Sequence, residues 1–171
     1  TFSAVSIMLK SRKCLWVGRE HGFLSPEHVV FDPEKTFTAS SPYLARITSN
    51  LESFEPLLRA LNVRDAFGPD DFVHANNCFM VDAAGAPLPP ETLKACVATL
   101  EAAAEASAGS EGALALSAYT LFVPNTLSIL RPAADLTFDD APWMSETLRQ
   151  RPDGGGVEFV HESLSANLAE S

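Results

Sequence analysis

A histidine and a cysteine at helical spacing are the first candidates for chemistry in this sequence. His74 and Cys78 are four residues apart, so on a helix a thiol could meet its base, or two ligands could begin a metal site. No third ligand follows at a matching spacing, and a free cysteine usually packs as a small apolar residue. The pair therefore favours a structural role, with a thiol enzyme as the alternative.

Two acidic pairs, Asp70-Asp71 and Asp139-Asp140, supply carboxylates of the kind that a hard cation requires. Each pair also fits a structural role, the first at the positive end of a helix dipole and the second in a turn leading to Pro142-Trp143. We expect Trp143 to be buried, with a partner-binding surface as the alternative. His161 ends an apolar strand, and we expect it to bond a backbone group or Asp139. We therefore predict no catalytic residue and no metal site.

The glycine-rich string Asp153-Gly154-Gly155-Gly156 comes nearest to a nucleotide-binding signature. It lies near the C-terminal end, and a glycine run binds phosphate only where the N-terminus of a helix stands behind it. A solvated linker is the simpler interpretation. We expect no nucleotide site and no cofactor.

The charge and the cysteines limit the partners and the compartment. A formal net charge of -10 opposes binding to nucleic acids and to anionic membranes. The three cysteines, Cys14, Cys78 and Cys96, are odd in number and contain no C-x-x-C pair, which predicts reduced thiols in the cytoplasm.

The two ends of the sequence predict that it is cut from a longer chain. It begins with Thr1 in place of Met, and a helical pattern stops after two turns at Ser171.

Two β-prone stretches with the same order of sequence features flank a helical region. Cys14 to Asp32 and Tyr119 to Asp139 each run through an apolar strand, a turn, an apolar residue with a nearby Pro, and Phe-Asp. Leu15 pairs with Leu121, Leu24-x-Pro26 with Leu130-x-Pro132, and Phe31-Asp32 with Phe138-Asp139 after a one-residue insertion. This repeated order of features predicts two equivalent β elements, with coincidence as the alternative.

Helical patterns lie between these stretches. We predict helices from Ser53 to about Asn62, after Gly68-Pro69, and from about Pro90 to Ser107. A last strand is expected from Val157 to His161. The sequence thus predicts an α+β fold in which two β-hairpin elements with mixed antiparallel strands flank a helical insert. The chain is one domain or fragment with a first β element at 1–48, the insert at 49–112, and a second β element with a strand and helix at 113–171.

Several strings of the sequence carry a family resemblance. Leu136-Thr-Phe-Asp-Asp-Ala-Pro-Trp143 after Leu130-Arg-Pro132 is similar to a signature in the repeats of sacsin, a very large chaperone-like protein, and Trp16-Val-Gly18, Phe54 to Leu61 and Phe159-Val-His161 match those repeats in the same order. The likeness covers most of the chain loosely. Two positions depart from the pattern, with Asp139 in place of Asn and Glu162 in place of Pro.

The resemblance implies a position in the parent protein and a role. The chain looks like material downstream of an ATP-binding lobe of the heat-shock type, so we expect a non-catalytic structural, coupling or client-interaction module of a chaperone. Its partners would be other domains of the parent chain, protein clients or co-chaperones. A small cytosolic enzyme with a Cys/His or acidic/His site, and a freestanding protein-interaction adaptor, are the alternatives. Candidate interaction or motif residues are Trp16, Pro132, Asp139, Asp140, Pro142, Trp143 and His161.

Overall fold

The computed structural model describes residues 2–19, 21–32, 42–107, 119–139 and 157–164. The chain divides into two compact units, Thr1–Ala75 and Asn76–Ser171. Both units combine helices with short two-stranded sheets, so the predicted α+β fold is confirmed. In the part of the chain that the structure describes, no helix is both long and apolar enough to cross a membrane.

The first unit contains a β-hairpin followed by a parallel strand pair. After helix α1 (Phe2–Lys10), strands β1 (Leu15–Trp16) and β2 (Phe23–Leu24) pair antiparallel. A 3-10 helix (Pro26–His28) leads into β3 (Val29–Val30), which pairs in parallel with β4 (Ala45–Arg46). The hairpin turn can form because Gly18 and Gly22 adopt φ of +107° and +69°, a region that side chains with a Cβ disfavour. We call residues 15–32 with 45–47 the first β element.

Strand β3 also contacts a second segment of backbone. The amides of Phe31 and Asp32 donate to the carbonyls of Arg64 and Asp65 at 2.9 and 2.7 Å. Val30 also forms an isolated parallel bridge with Arg64, so β3 lies between β4 and this segment, which explains why both of its valines are fully buried. The core of this unit is built from its inward-facing apolar residues, Leu15, Val17, Val29, Ala45, Ile47, Leu58 and Val63.

Among the described residues, four helices follow the first β element and precede the second in the sequence. Helices α2 (Ser49–Glu52) and α3 (Glu55–Ala60) are short, and α4 (Pro69–Ala83) and α5 (Pro90–Ala106) are long. The prolines that begin α4 and α5 suit first-turn positions, where the backbone amide has no partner within the helix. Helix α5 buries a stripe of small and apolar side chains, namely Ala95, Cys96, Val97, Thr99, Leu100 and Ala103.

The strands and the 3-10 helix of the second unit repeat the order of those in the first. Strands β5 (Phe122–Pro124) and β6 (Leu130–Pro132) form an antiparallel hairpin, and a 3-10 helix (Ala133–Asp135) leads into β7 (Leu136–Thr137). Strand β7 then pairs in parallel with β8 (Glu158–Phe159). The predicted pair of β-hairpin elements is thus confirmed, and both contain a parallel pair that the sequence did not indicate. We call residues 121–139 with 158–161 the second β element.

One buried asparagine holds the second hairpin to helix α4. The Asn76 Nδ2 donates to the Phe122 carbonyl, and the Phe122 amide donates to Asn76 Oδ1, both at 2.8 Å. This side chain therefore satisfies the backbone of β5 as a neighbouring strand would. The arrangement explains why a polar residue is almost fully buried on an otherwise apolar helix face.

Candidate interaction surface

An exposed aromatic pair stands on the first hairpin. The antiparallel register places Trp16 opposite Phe23, with ring centroids 5.2 Å apart and ring planes tilted by 60°. Their residues are 43% and 56% exposed, whereas the flanking Leu15 and Val17 are buried. Side chains alternate between the two faces of a strand, so the burial of Leu15 and Val17 directs Trp16 to solvent. The aromatic pair, Trp16 with Phe23, is a preformed apolar contact surface.

Of the pair, the sequence interpretation singled out only Trp16. Phe23 lies within the first β-prone stretch but is not among the predicted site residues. The signal that could have found it is the pairing across the hairpin, because a turn bounded by two glycines fixes which residues face each other. Tilted aromatic pairs of this kind add about 0.5–1.5 kcal/mol beyond the burial of their area.

The second β element also exposes large apolar residues. Phe138 is 50% exposed just after β7, and Leu127 in the hairpin turn and Tyr119 before β5 are also exposed. The candidate Pro132 lies at the end of β6 opposite Phe122 and is half-buried. Both β elements therefore combine buried strand residues with exposed aromatic ones.

The remaining motif candidates before His161 follow Phe138 in the sequence, and the structure describes one of them. Asp139 is half-buried directly after Phe138. Asp140, Pro142 and Trp143 lie outside the described residues, as does the glycine string at 153–156. The structure thus places Pro132 and Asp139 in one β element, while the predicted roles of the other three stay predictions.

His161 lies at the start of a helical turn. Its backbone amide donates to the Pro124 carbonyl at 2.9 Å, and its Nδ1 accepts the Ser163 amide at 3.2 Å and lies 2.8 Å from the Ser163 hydroxyl. An acceptor that binds the amide two residues later is an N-cap interaction. The imidazole therefore bonds a backbone group, one of the two partners expected for it.

A polar network that the sequence analysis missed organises the second hairpin. The buried Asn125 accepts the amides of Leu127 and Ile129 at 3.0 Å, and its Nδ2 donates to Glu158 Oε2 at 2.8 Å. Arg131 Nε also donates to that oxygen at 3.2 Å. The Asn125 hydrogen bond, followed by that of Arg131, holds the pKa of Glu158 below its ordinary value. The sequence signal was Pro124-Asn125-Thr126, which indicates a turn but not its partner on β8.

The side chains proposed for a thiol or metal site have other surroundings. The Asp71 carboxylate accepts two hydrogen bonds from Arg64, at 2.6 and 2.8 Å, and one from the Gly68 amide at 2.7 Å. The His74 ring stacks on that of His28, with centroids 6.0 Å apart. Asp71 therefore performs the expected role at a helix start.

Two of the cysteine thiols, Cys78 and Cys96, have raised pKa values, which favour the protonated form. Burial, and then the nearby charge of Asp82, raise the pKa of Cys78, and burial raises the pKa of Cys96 to about 12. A nucleophilic cysteine requires the opposite shift, towards a thiolate at neutral pH. Within the described ranges, no group of three or more His, Cys, Asp or Glu side chains could hold a metal ion.

Comparisons with known protein families, with curated proteins and with solved structures give no match for this chain.

Proposed function

We propose that this chain is a non-catalytic coupling or client-interaction module of a large sacsin-like chaperone. The observation that carries the proposal is the aromatic pair, because two large rings held in fixed register in solvent form a ready contact for apolar protein segments. Its partners are other domains of the parent chain and unfolded protein clients in the cytoplasm. The three free cysteines fit a reducing compartment.

The repeated β element supports the assignment to a repeat protein. In both elements a 3-10 helix of three residues and a strand of two precede a Phe-Asp pair. The parallel pairing is also repeated, since the Ile47 amide donates to Val30 at 2.9 Å and the Val160 amide donates to Thr137 at 3.0 Å. Of the strings that resemble sacsin repeats, Trp16-Val-Gly18, Leu130-Arg-Pro132 and Phe159-Val-His161 lie in these two elements.

The polar side chains support a role without catalysis. Asp71 accepts a backbone amide and pairs with Arg64, His161 accepts a backbone amide, and His74 stacks on His28. Cys78 and Cys96 have raised pKa values. A nucleophile with its base and an oriented third group is the usual sign of acyl or phosphoryl chemistry. The module therefore acts by binding.

An aggregation assay tests the role of the aromatic pair. A chemically unfolded model protein is diluted into buffer with increasing amounts of the chain, and light scattering reports its aggregation. We expect the wild-type chain to slow aggregation, and Trp16→Ser/Phe23→Ser to need at least about tenfold more protein for the same effect, since aromatic anchors dominate binding energy.

Phe54→Ser is the matched control, because Phe54 is 54% exposed, close to the value for Phe23. Equal loss of activity in this variant would show that any exposed aromatic residue has the effect and would overturn the proposal, as would full activity in the double variant.

The absence of catalysis is tested separately. Release of phosphate from ATP and magnesium by the purified chain, above the rate in buffer, would contradict it.

A further inference from the structure

The first unit contains a cavity that the proposed function does not use. Its volume is about 350 Å³, within the range of small-molecule sites. Three of the four histidines of the chain line it, together with a lysine and two aromatic side chains. The residues that matter to the argument are Lys13, His21, His28, Tyr43, Phe67 and His74.

The cavity concentrates hydrogen-bond donors in an acidic protein. The chain has a formal net charge of -10, yet the described residues that line the cavity include one carboxylate, Asp71, which is already bound by the guanidinium of Arg64. Across residues 2–19, 21–32, 42–107, 119–139 and 157–164, the structure gives Lys13 and His21 no hydrogen bond or ion pair. An ammonium offers three donors and an imidazole at least one, so these two side chains are available to an anion.

The same cavity provides planar apolar surface. The rings of His28 and His74 stack with an interplanar angle of 21°, and Tyr43 and Phe67 also contribute to the lining. Flat rings favour a flat ligand, which can stack without losing many internal rotations. Glu27 lies outside this lining, with its carboxylate 3.7 Å from the His28 Nε2.

We propose that this cavity binds a small aromatic oxyanion. The ring of the ligand lies along the imidazoles and aromatic side chains, and its phosphate or carboxylate is bound by Lys13 and His21. The shared chemistry is an oxyanion on a planar ring, and the two sources of that oxyanion are separated by experiment. The site takes a ligand of a different class from the protein partners of the aromatic pair.

The four histidine rings make the test internally controlled. Phenyl phosphate and benzoate are titrated separately into the full chain, and the imidazole signals are followed by proton–carbon NMR. We expect the signals of His21, His28 and His74 to shift with a dissociation constant below about 1 mM, while that of His161 stays in place. The tighter of the two ligands identifies the oxyanion. Signals are assigned by their loss in single His→Asn variants.

Lys13→Met should weaken binding about tenfold, the usual effect of one charge-assisted hydrogen bond, and His21→Asn should weaken it by a smaller factor. The exposed Lys94 of α5 provides the control Lys94→Met, which should bind as the wild type does. Inorganic phosphate binding as tightly as phenyl phosphate would overturn the ring assignment, and benzyl alcohol binding as tightly would overturn the oxyanion assignment. Shifts of equal size at His161, or no shift at any histidine, would overturn the site itself.

Discussion

In the first β element, the strand after the 3-10 helix carries Val29 and Val30, which are both fully buried. The corresponding strand of the second element carries Leu136, which is half-buried, and Thr137, which is exposed. The two residues after the first of these strands, Phe31 and Asp32, also donate to the backbone carbonyls of Arg64 and Asp65. The strand after the 3-10 helix is thus a core strand in the first unit, whereas its counterpart in the second unit is more exposed.

The partner strands differ in how they meet the Phe-Asp pair. The register sets Arg46 opposite Val30 and Phe159 opposite Thr137. Arg46 Nε lies 2.6 Å from Asp32 Oδ2, and the two side chains are 32% and 1% exposed. The first element therefore uses a partly buried ion pair at a position where the second uses a buried aromatic ring.

The hairpin turns reach similar geometry by different means. The first turn uses two glycines with positive φ, and its Val17 amide donates to the Gly22 carbonyl. In the second turn the Asn125 amide donates to Ile129 in the same way, while Ser128 adopts φ of +59°. The first turn thus depends on glycines that can adopt a positive φ. The second depends on the Asn125 side chain, which accepts hydrogen bonds from backbone amides.

The largest effect should come from breaking the ion pair of the first element. Arg46→Met should lower the free energy of unfolding by about 3 kcal/mol, because it leaves the buried Asp32 carboxylate without the guanidinium. Urea denaturation measures the change, and the exposed Arg12→Met is the control, expected within about 0.5 kcal/mol of wild type. In a double-mutant cycle, Asp32→Asn/Arg46→Met should cost less than the sum of the single variants. Additive costs would show that the pair is not coupled.

The next effect tests the turn of the second element. Asn125→Ala should destabilise the chain by about 2 kcal/mol, since the amides of Leu127 and Ile129 lose a buried acceptor. Hydrogen exchange should show faster exchange at those two amides. The exposed Asn77→Ala on α4 should leave both rates unchanged. Unchanged protection in Asn125→Ala would mean that the backbone alone holds the turn.

A smaller effect is expected in the turn of the first element. Gly22→Ala should cost about 1 kcal/mol, because a Cβ is disfavoured at φ of +69° although nothing lies within 4 Å of it. In the second element, Ser128→Gly should be neutral or slightly stabilising, since glycine removes the strain but adds freedom to the unfolded chain. Thermal unfolding of both variants measures the contrast. Equal destabilisation would show that the two turns do not differ in this way.

The smallest effect concerns the carboxylate of the second element. The folded-state pKa of Glu158 is below its ordinary value of 4.5, so its contribution is present above about pH 4.5 and is lost as the pH falls through the lower value. Glu158→Gln should lower the free energy of unfolding by less than about 1 kcal/mol at pH 7, because the ion pair of Glu158 with Arg131 is well exposed and screened by solvent. Urea titrations from pH 7 to pH 3 should show the difference disappearing. Glu105→Gln is the surface control, and a constant difference across that range would contradict the linkage.

Local patterns in the sequence predicted the hairpins and the long helices well. Proline and the acidic pair after Gly68 predicted the start of α4, and the helix predicted from Pro90 to Ser107 matches α5 within one residue. The predicted start at Ser53 is wrong, since Ser53 is the C-cap residue of α2 and α3 begins at Glu55, with Phe54 in the N-cap position. Pro56 fits the first turn of α3, which is why the helix itself was found. Helix α1 was not predicted.

Contacts between distant residues could not be predicted from the same patterns. The pairing of β3 with β4, and of β7 with β8, depends on which segments meet after the chain has folded back, and short strands carry no register signal for this. The link from Asn125 to Glu158 and the ion pair of Asp32 with Arg46 follow from those pairings. The cavity lined by three histidines likewise joins residues from 13 to 74.

The parallel strand pairs also set the order of folding steps within each β element. Each hairpin joins neighbouring residues and can form within roughly 1–10 μs, whereas β3 must meet β4 across residues 31–44 and β7 must meet β8 across 138–157. Closure entropy grows only with the logarithm of the intervening length, so the longer connection costs only about 0.3 kcal/mol more. Parallel pairing should therefore be the slow step in both elements, and lengthening either connection should slow folding far less than disturbing the strands that it joins.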